Sequence, residues 1–190
     1  MKRAFLVHGW GGSPEREWFP WLKAELERNG FEVRVPALPD SDHPRIATWV
    51  PTLAAAVGTP DADTYFVGHS MGCQTIARYL AGLDDSTQVG GVVYVGGYFD
   101  SLTLGEDEEV EVWDEWYNAP LDLSRVKAHA PRSIAIFSDD DPYVPFENAK
   151  RFEQELGSKI IVEHGQGHFS GVEYVQLPAA LEAALELAQS

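Results

Sequence analysis

A serine, an acid and a histidine can together make an alcohol nucleophilic at neutral pH, provided a fold brings them into line. Ser70 is the middle residue of Gly68-His69-Ser70-Met71-Gly72, between the apolar run Tyr65-Phe66-Val67 and a helix-like stretch over 73–80. A serine at such a strand-to-helix corner is held in a sharp, strained turn with its hydroxyl above the sheet edge. Small residues two before and two after it let strand and helix pass closely, so Gly68 and Gly72 fit sterically. The pentapeptide alone recurs by chance. The strand before it and the helix after it make it a candidate nucleophile elbow.

The two partners follow in the order such sites use, serine, then acid, then histidine. Ser138-Asp139-Asp140-Asp141-Pro142 comes just after the apolar run Ile134-Ala135-Ile136-Phe137, and Glu163-His164-Gly165-Gln166-Gly167-His168-Phe169 just after Lys159-Ile160-Ile161-Val162. Pro142 biases the residue before it toward extended backbone, which carries Asp141 outward and favours it over Asp140 and Asp139. For the two that do not face the histidine, turn formation and solvation are expected. His168, between Gly167 and Phe169, is free to curl back over the rim and is the candidate base. His164, nearer the strand, reads as structural. A metal pair of His164 and His168 has neither helix nor third ligand to support it. His69 cannot reach back to Ser70 productively, and His43 and His129, in polar loops, are expected to be solvated.

Acyl transfer also needs donors for a developing oxyanion. One is the backbone N–H of Met71, which opens the helix and gains from its dipole. The other is expected from His8-Gly9-Trp10-Gly11-Gly12-Ser13-Pro14, at Trp10, with Gly11 as the alternative. As a nucleotide loop this segment fails, because Pro14 stands where Gly-x-Gly-x-x-Gly needs its last glycine and no Gly-Lys-Ser/Thr ending follows. Cys73, one turn into the helix, reads as a buried structural thiol. Trp18, Trp21 and Trp49 read as packing residues.

The elements that must position these groups alternate. Runs rich in β-branched and aromatic residues recur at 4–8, 31–35, 64–68, 89–95, 133–138 and 159–163. Several are almost wholly apolar, as in strands covered on both faces of a parallel sheet. Helical spacing fills 17–29 (with Gly30 as its C-terminal cap), 45–57, 71–83, 121–129, 145–156 and 173–188. The alternation predicts a doubly wound α/β sheet in one domain spanning 1–190. One connection departs from it. Residues 100–115 hold eight acidic residues and no basic one, then Trp116 and Tyr117 follow Trp113. This insertion, about 98–118, reads as a solvated excursion. The competing reading is a short cap whose aromatics wall the pocket and disfavour anionic substrates.

Composition bounds the partners. A net charge of -16 on 190 residues argues against nucleic acid and anionic membrane. One cysteine excludes an intrachain disulfide framework, and the four apolar residues before His8 are too few for an export signal. A cytoplasmic location is expected.

These residues make the chain similar to the α/β-hydrolase superfamily. More narrowly, it resembles the small serine hydrolases grouped with retinoblastoma-binding protein 9. The resemblance runs through Trp18-Phe19-Pro20-Trp21-Leu22-Lys23-Ala24-Glu25-Leu26-Glu27, Pro39-Asp40, Ala47-Thr48-Trp49-Val50-Pro51, Gly68-His69-Ser70, Asp140-Asp141-Pro142 and Gly167-His168-Phe169. It implies a compact six-stranded, mainly parallel sheet with helices on both faces and no large cap domain. It also implies Ser70, Asp141 and His168 as the catalytic triad, with no metal or cofactor. The first loop, His8-Gly9-Trp10-Gly11-Gly12, is nearer to generic lipases and esterases. No Leu-x-Cys-x-Glu sequence occurs, so retinoblastoma-type pocket binding has no support. The expectation is a hydrolase cleaving a small ester, or an amide, through an acyl-enzyme. The rivals are a binding protein that keeps the triad, and a hydrolase acting on another bond.

Overall fold

Apolar runs bounded by polar turns become six strands, all parallel. The computed structural model describes residues 1–100, 102–103 and 107–189, with 107–109 described by backbone alone, so Glu106 of the acidic run lies outside the described residues. The strands are β1 (Arg3–Val7), β2 (Glu32–Arg34), β3 (Thr64–His69), β4 (Gly91–Val95), β5 (Ser133–Ser138) and β6 (Lys159–Glu163). Their order across the sheet is β2-β1-β3-β4-β5-β6. The chain begins at β1, adds β2 on one side, then returns to place β3 on the other. The order therefore reverses between β1 and β3, where open α/β sheets form their crevice. The register Val7↔Gly68, His69↔Val95 and Ser138↔Glu163 brings the carboxyl ends of five strands to one rim.

Side chains alternate across a strand, and the core divides accordingly. Phe5, Val7, Phe66, Val92, Tyr94, Ala135 and Phe137 pack on one face with residues of α2 (Ile46–Val57), α3 (Met71–Ala81) and α5 (Leu123–His129). Ala4, Leu6, Tyr65, Val67, Val93, Val95, Ile134 and Ile136 pack on the other with α1 (Phe19–Arg28) and α7 (Pro178–Gln189). Between them in sequence come α4 (Asp107–Asn118) and α6 (Asn148–Arg151), which runs into a π-helical turn at Phe152–Leu156. No helix among the described residues is long and apolar enough to cross a membrane.

Several expectations need correction. The helix placed at 17–29 starts at Phe19, because Glu17 adopts φ +55. The one placed at 173–188 starts at Pro178. Within the acidic connection, expected as a solvated excursion, Asp107–Asn118 forms a helix that partly meets the core. Val112 and Trp116, four apart on one helical face, are buried in the core, and the Trp116 indole donates to the Pro44 carbonyl at 3.0 Å. Six acidic residues occupy other positions of the helix, and three of them open it, where its dipole favours negative charge. His129 is buried rather than solvated, and its Nδ1–H donates to the Thr87 carbonyl at 2.7 Å.

Candidate active site

The corner at Ser70 is as tight as its glycines suggested. Ser70 adopts φ +52, ψ -120, a conformation that a residue with a Cβ holds only when its surroundings impose it. Its N–H donates to the Val95 carbonyl at 2.9 Å. A Cβ on Gly72 would lie 2.1 Å from the Val7 carbonyl oxygen, and one on Gly68 would lie 2.7 Å from Ile76 Cδ1. Helix α3 therefore leaves Ser70 pressed against the end of β1. Cys73 is fully buried there, with its Sγ–H on the Gly68 carbonyl, and burial pushes its thiol well up, so it is an inert packing group.

Ser70 opens onto a cavity of about 370 Å³ at the switch point. Trp10, Met71, His69, His168 and Glu17 line it, together with Tyr98, Tyr143, Leu102 and Thr103. The connection after β4 thus contributes to the wall through Leu102 and Thr103. Trp113, Trp116 and Tyr117 do not line the cavity, which corrects the reading of those aromatics as its wall. The Gly11 N–H is committed to the Ser41 carbonyl at 2.8 Å, which removes it as an oxyanion donor. The N–H groups of Trp10 and Met71 make no hydrogen bond to another described residue.

His168 Nδ1 lies 2.7 Å from Asp141 Oδ2. A carboxylate can only accept, so Nδ1 carries the proton and Nε2 is left as the basic nitrogen. Asp141 is almost fully buried, and its other oxygen accepts from the N–H groups of Tyr143 (2.8 Å) and Val144 (2.9 Å).

Asp139 and Asp140 are exposed but not merely solvated. Four consecutive residues receive four consecutive groups of the histidine loop. Ser138 Oγ accepts from the Gln166 N–H (3.0 Å), Asp139 from the Gly165 N–H (3.0 Å) and Asp140 from the Gly167 N–H (2.8 Å), while Asp141 takes the His168 ring. These bonds hold both carboxyls below their ordinary range, Asp139 chiefly through His164 and Asp140 chiefly through the Ser138 hydroxyl. His164 pairs with Asp139 at 2.6 Å, and that bond raises its pKa.

Three neighbours carry no local sequence signal of their part in this arrangement. His69 Nε2–H donates to the His168 carbonyl at 2.8 Å. Burial, reinforced by His168, lowers the His69 pKa to about 3, so its ring is neutral. The Trp18 indole, expected only to pack, also donates to the Phe169 carbonyl at 3.0 Å. Gly96, at φ +52, lies so close that a Cβ would sit 3.3 Å from His168 Cε1 and 3.6 Å from Asp141 Oδ2. A Gly-Gly pair after β4 signals a close approach in general, but not to which groups.

Such an arrangement can pass a proton from an alcohol to an imidazole whose cationic form a buried carboxylate stabilises. A family model described as serine hydrolase matches residues 4–182. YdeN of Bacillus subtilis (strain 168) is 33% identical over 169 residues, 88% of this chain and 86% of its own. The crystal structure of the B. subtilis ydeN gene product superimposes with a TM-score of 0.91 at 29% identity, covering 100% of both chains. Serine hydrolase RBBP9 of Rattus norvegicus is 26% identical over 186 residues, 96% of this chain and 95% of its own. Est1E of Butyrivibrio proteoclasticus, solved with ferulic acid bound, shares the fold with a TM-score of 0.77 at 15% identity, over 100% of this chain and 90% of that one.

Proposed function

Since the chain belongs to the serine hydrolase family, a hydrolase family on the α/β-hydrolase fold, we propose that it cleaves a small ester through an acyl-enzyme formed on Ser70. The observation that carries this reading is His168 Nδ1 at 2.7 Å from the buried Asp141 carboxylate, in the cavity onto which Ser70 opens.

In this mechanism Ser70 Oγ attacks the ester carbonyl carbon while His168 Nε2 takes the hydroxyl proton. The oxyanion is received by the N–H groups of Trp10 and Met71, each worth about 10²–10³ in rate by analogy with measured oxyanion donors. Collapse breaks the bond to the leaving alkoxide, which takes the proton back from His168. Water then repeats both steps on the acyl-enzyme, releasing the acid and restoring Ser70. Asp141 keeps the imidazole in the tautomer whose Nε2 is free and stabilises the imidazolium formed in each half. An ester is favoured over an amide because its leaving group needs less help from the acid. No step calls for a metal or cofactor.

The test is covalent labelling by a fluorophosphonate probe, followed by turnover of nitrophenyl esters of graded acyl length. Wild type should label and Ser70→Ala should not. Folded wild type that resists the probe would overturn the reading and leave a binding role for the cavity. Labelling with no ester turnover would point to another bond.

A further inference from the structure

Glu17 is the one carboxylate among the described residues that line the cavity, and the mechanism above makes no use of it. It is held there at some cost, with backbone φ +55, in a left-handed conformation that favours glycine. Its side chain is only 20% exposed. One oxygen accepts from the Gly171 N–H at 3.2 Å, and the other lies 3.9 Å from His69 Nδ1. That second contact is not an ion pair, because His69 is neutral and carries its proton on Nε2, toward the His168 carbonyl. Arg16, the preceding residue, also lines the cavity and its charge favours the Glu17 carboxylate from a distance, but its guanidinium donates to the Gly11 carbonyl at 3.3 Å rather than to Glu17. Among the described residues no lysine or arginine lies within ion-pair distance of this carboxylate. Burial raises its pKa, the opposite of what a bound cation would do. A half-buried charge with a single backbone donor is costly in a protein unless something pairs with it.

Its position says which part of a substrate would do so. Both oxygens lie against residues that border His168: Gly171, three residues on, and His69, whose ring centroid is 4.9 Å from the His168 ring. His168 hands its proton to the departing alcohol, so the leaving group is the part that passes this wall. Trp10, Tyr98 and Tyr143 line the same cavity, and aromatic rings attract an ammonium.

We infer that Glu17 is a specificity-determining residue that selects esters whose alcohol carries a cationic, ammonium-type group. The inference rests on the hydrolase reading above and deepens it. It is tested with two acetate esters of the same shape, those of choline and of 3,3-dimethylbutanol, which differ by one positive charge. Wild type should show a kcat/KM about tenfold or more higher for the choline ester at low salt, and the ratio should fall as salt screens the charge. In Glu17→Gln the ratio should fall to near one. The salt series on wild type keeps the test decisive should the variant not fold. A ratio near one in wild type, a ratio unchanged by salt and by Glu17→Gln, or no turnover of either ester by enzyme that still takes the fluorophosphonate would overturn this inference alone. Loss of fluorophosphonate labelling would instead remove the reading beneath it.

Discussion

The two connections that border the site are built in opposite ways. The one after β6 has no regular structure between Glu163 and Pro178, yet nearly every polar group of its first turn is spoken for. Ser138, Asp139, Asp140 and Asp141 hold it from β5, Trp18 and His69 hold the carbonyls of Phe169 and His168, and the Tyr174 hydroxyl donates to the Gln166 carbonyl. The connection after β4 forms a twelve-residue helix, but it is fastened at a few points on its inner face. Trp116 is buried, Arg78 reaches the carbonyls of Trp116, Ala119 and Pro120, and Glu115 reaches across to α2. Regular structure and rigidity are thus separate properties. Hydrogen bonds from a strand end can set an irregular loop to the tolerance a base requires, while a helix can serve mainly to cover a core.

The sharpest way to break that contrast is to disarm the loop without unfolding it. Asp141→Asn keeps the shape of the turn but lets an amide face His168 Nδ1 and favours the wrong tautomer. Where this change has been made in such triads, kcat falls by about 10⁴, and the same is expected here with little change in melting temperature. Asp139→Asn should cost less than about tenfold, since its amide oxygen can still accept from the Gly165 N–H and only the exposed pair with His164 is weakened. Steady-state kinetics on both variants checks this; equal losses would mean that the three aspartates act as a unit.

The pattern of what could be read from the chain follows the same divide. The four inner strands were legible because they are buried and almost wholly apolar on both faces, the edge strands Glu32–Arg34 and Lys159–Glu163 less so, and the order of Ser70, Asp141 and His168 was legible because strand ends define the rim. The helix at 107–118 was hidden because Val112, Trp113 and Trp116 meet the core while acidic residues fill most of its other positions, which resembles a solvated run. Glu17 was hidden for another reason. Its carboxylate meets Gly171 and His69, far along the chain, and the residues around it in sequence do not announce them.

The helix should fail in the reverse sense from the loop, losing stability before chemistry. Trp116→Ala removes a fully buried indole and its bond to Pro44, and is expected to cost about 3–5 kcal/mol in denaturant unfolding. Trp116 lies outside the cavity, so the kcat of the fraction that stays folded should move far less than in Asp141→Asn. A large loss of kcat at unchanged stability would show that the helix shapes the site directly.

Acid gives a further separation. Burial lowers the pKa of both His69 and His8, and His69 holds the loop after β6 through the His168 carbonyl. The unfolded chain takes up these protons near pH 6.5, while folded His69 does so only at about 3. The stability they contribute is therefore full above 6.5 and is lost as pH falls below it, by up to about 1.4 kcal/mol per pH unit for each histidine. Between pH 6.5 and 5 this is about 2 kcal/mol from His69 alone, measurable as a falling denaturant midpoint. His69→Gln should flatten that slope, whereas substitutions in the acidic helix should not.

The smallest effect concerns how the acidic helix serves its neighbour. Helix α2 begins at Ile46 after Arg45, whose side chain gives its first turn no hydrogen bond. Glu115 supplies one from α4, accepting from the Ile46 N–H at 3.0 Å, with its carboxylate also beside the Arg45 guanidinium. A carboxylate at that end of a helix satisfies an orphan donor and meets the positive end of the dipole. The exposed pair with Arg45 adds little to this. Glu115→Ala is thus expected to cost about 1 kcal/mol, as the loss of a side-chain cap does, and to leave kcat/KM for a neutral ester within about twofold. Glu115→Gln should recover part of the stability, because an amide oxygen still accepts from Ile46 N–H. If Glu115→Ala lowered activity more than stability, the acidic helix would have to be counted with the histidine loop as part of the site's frame, and the contrast between the two connections would be gone.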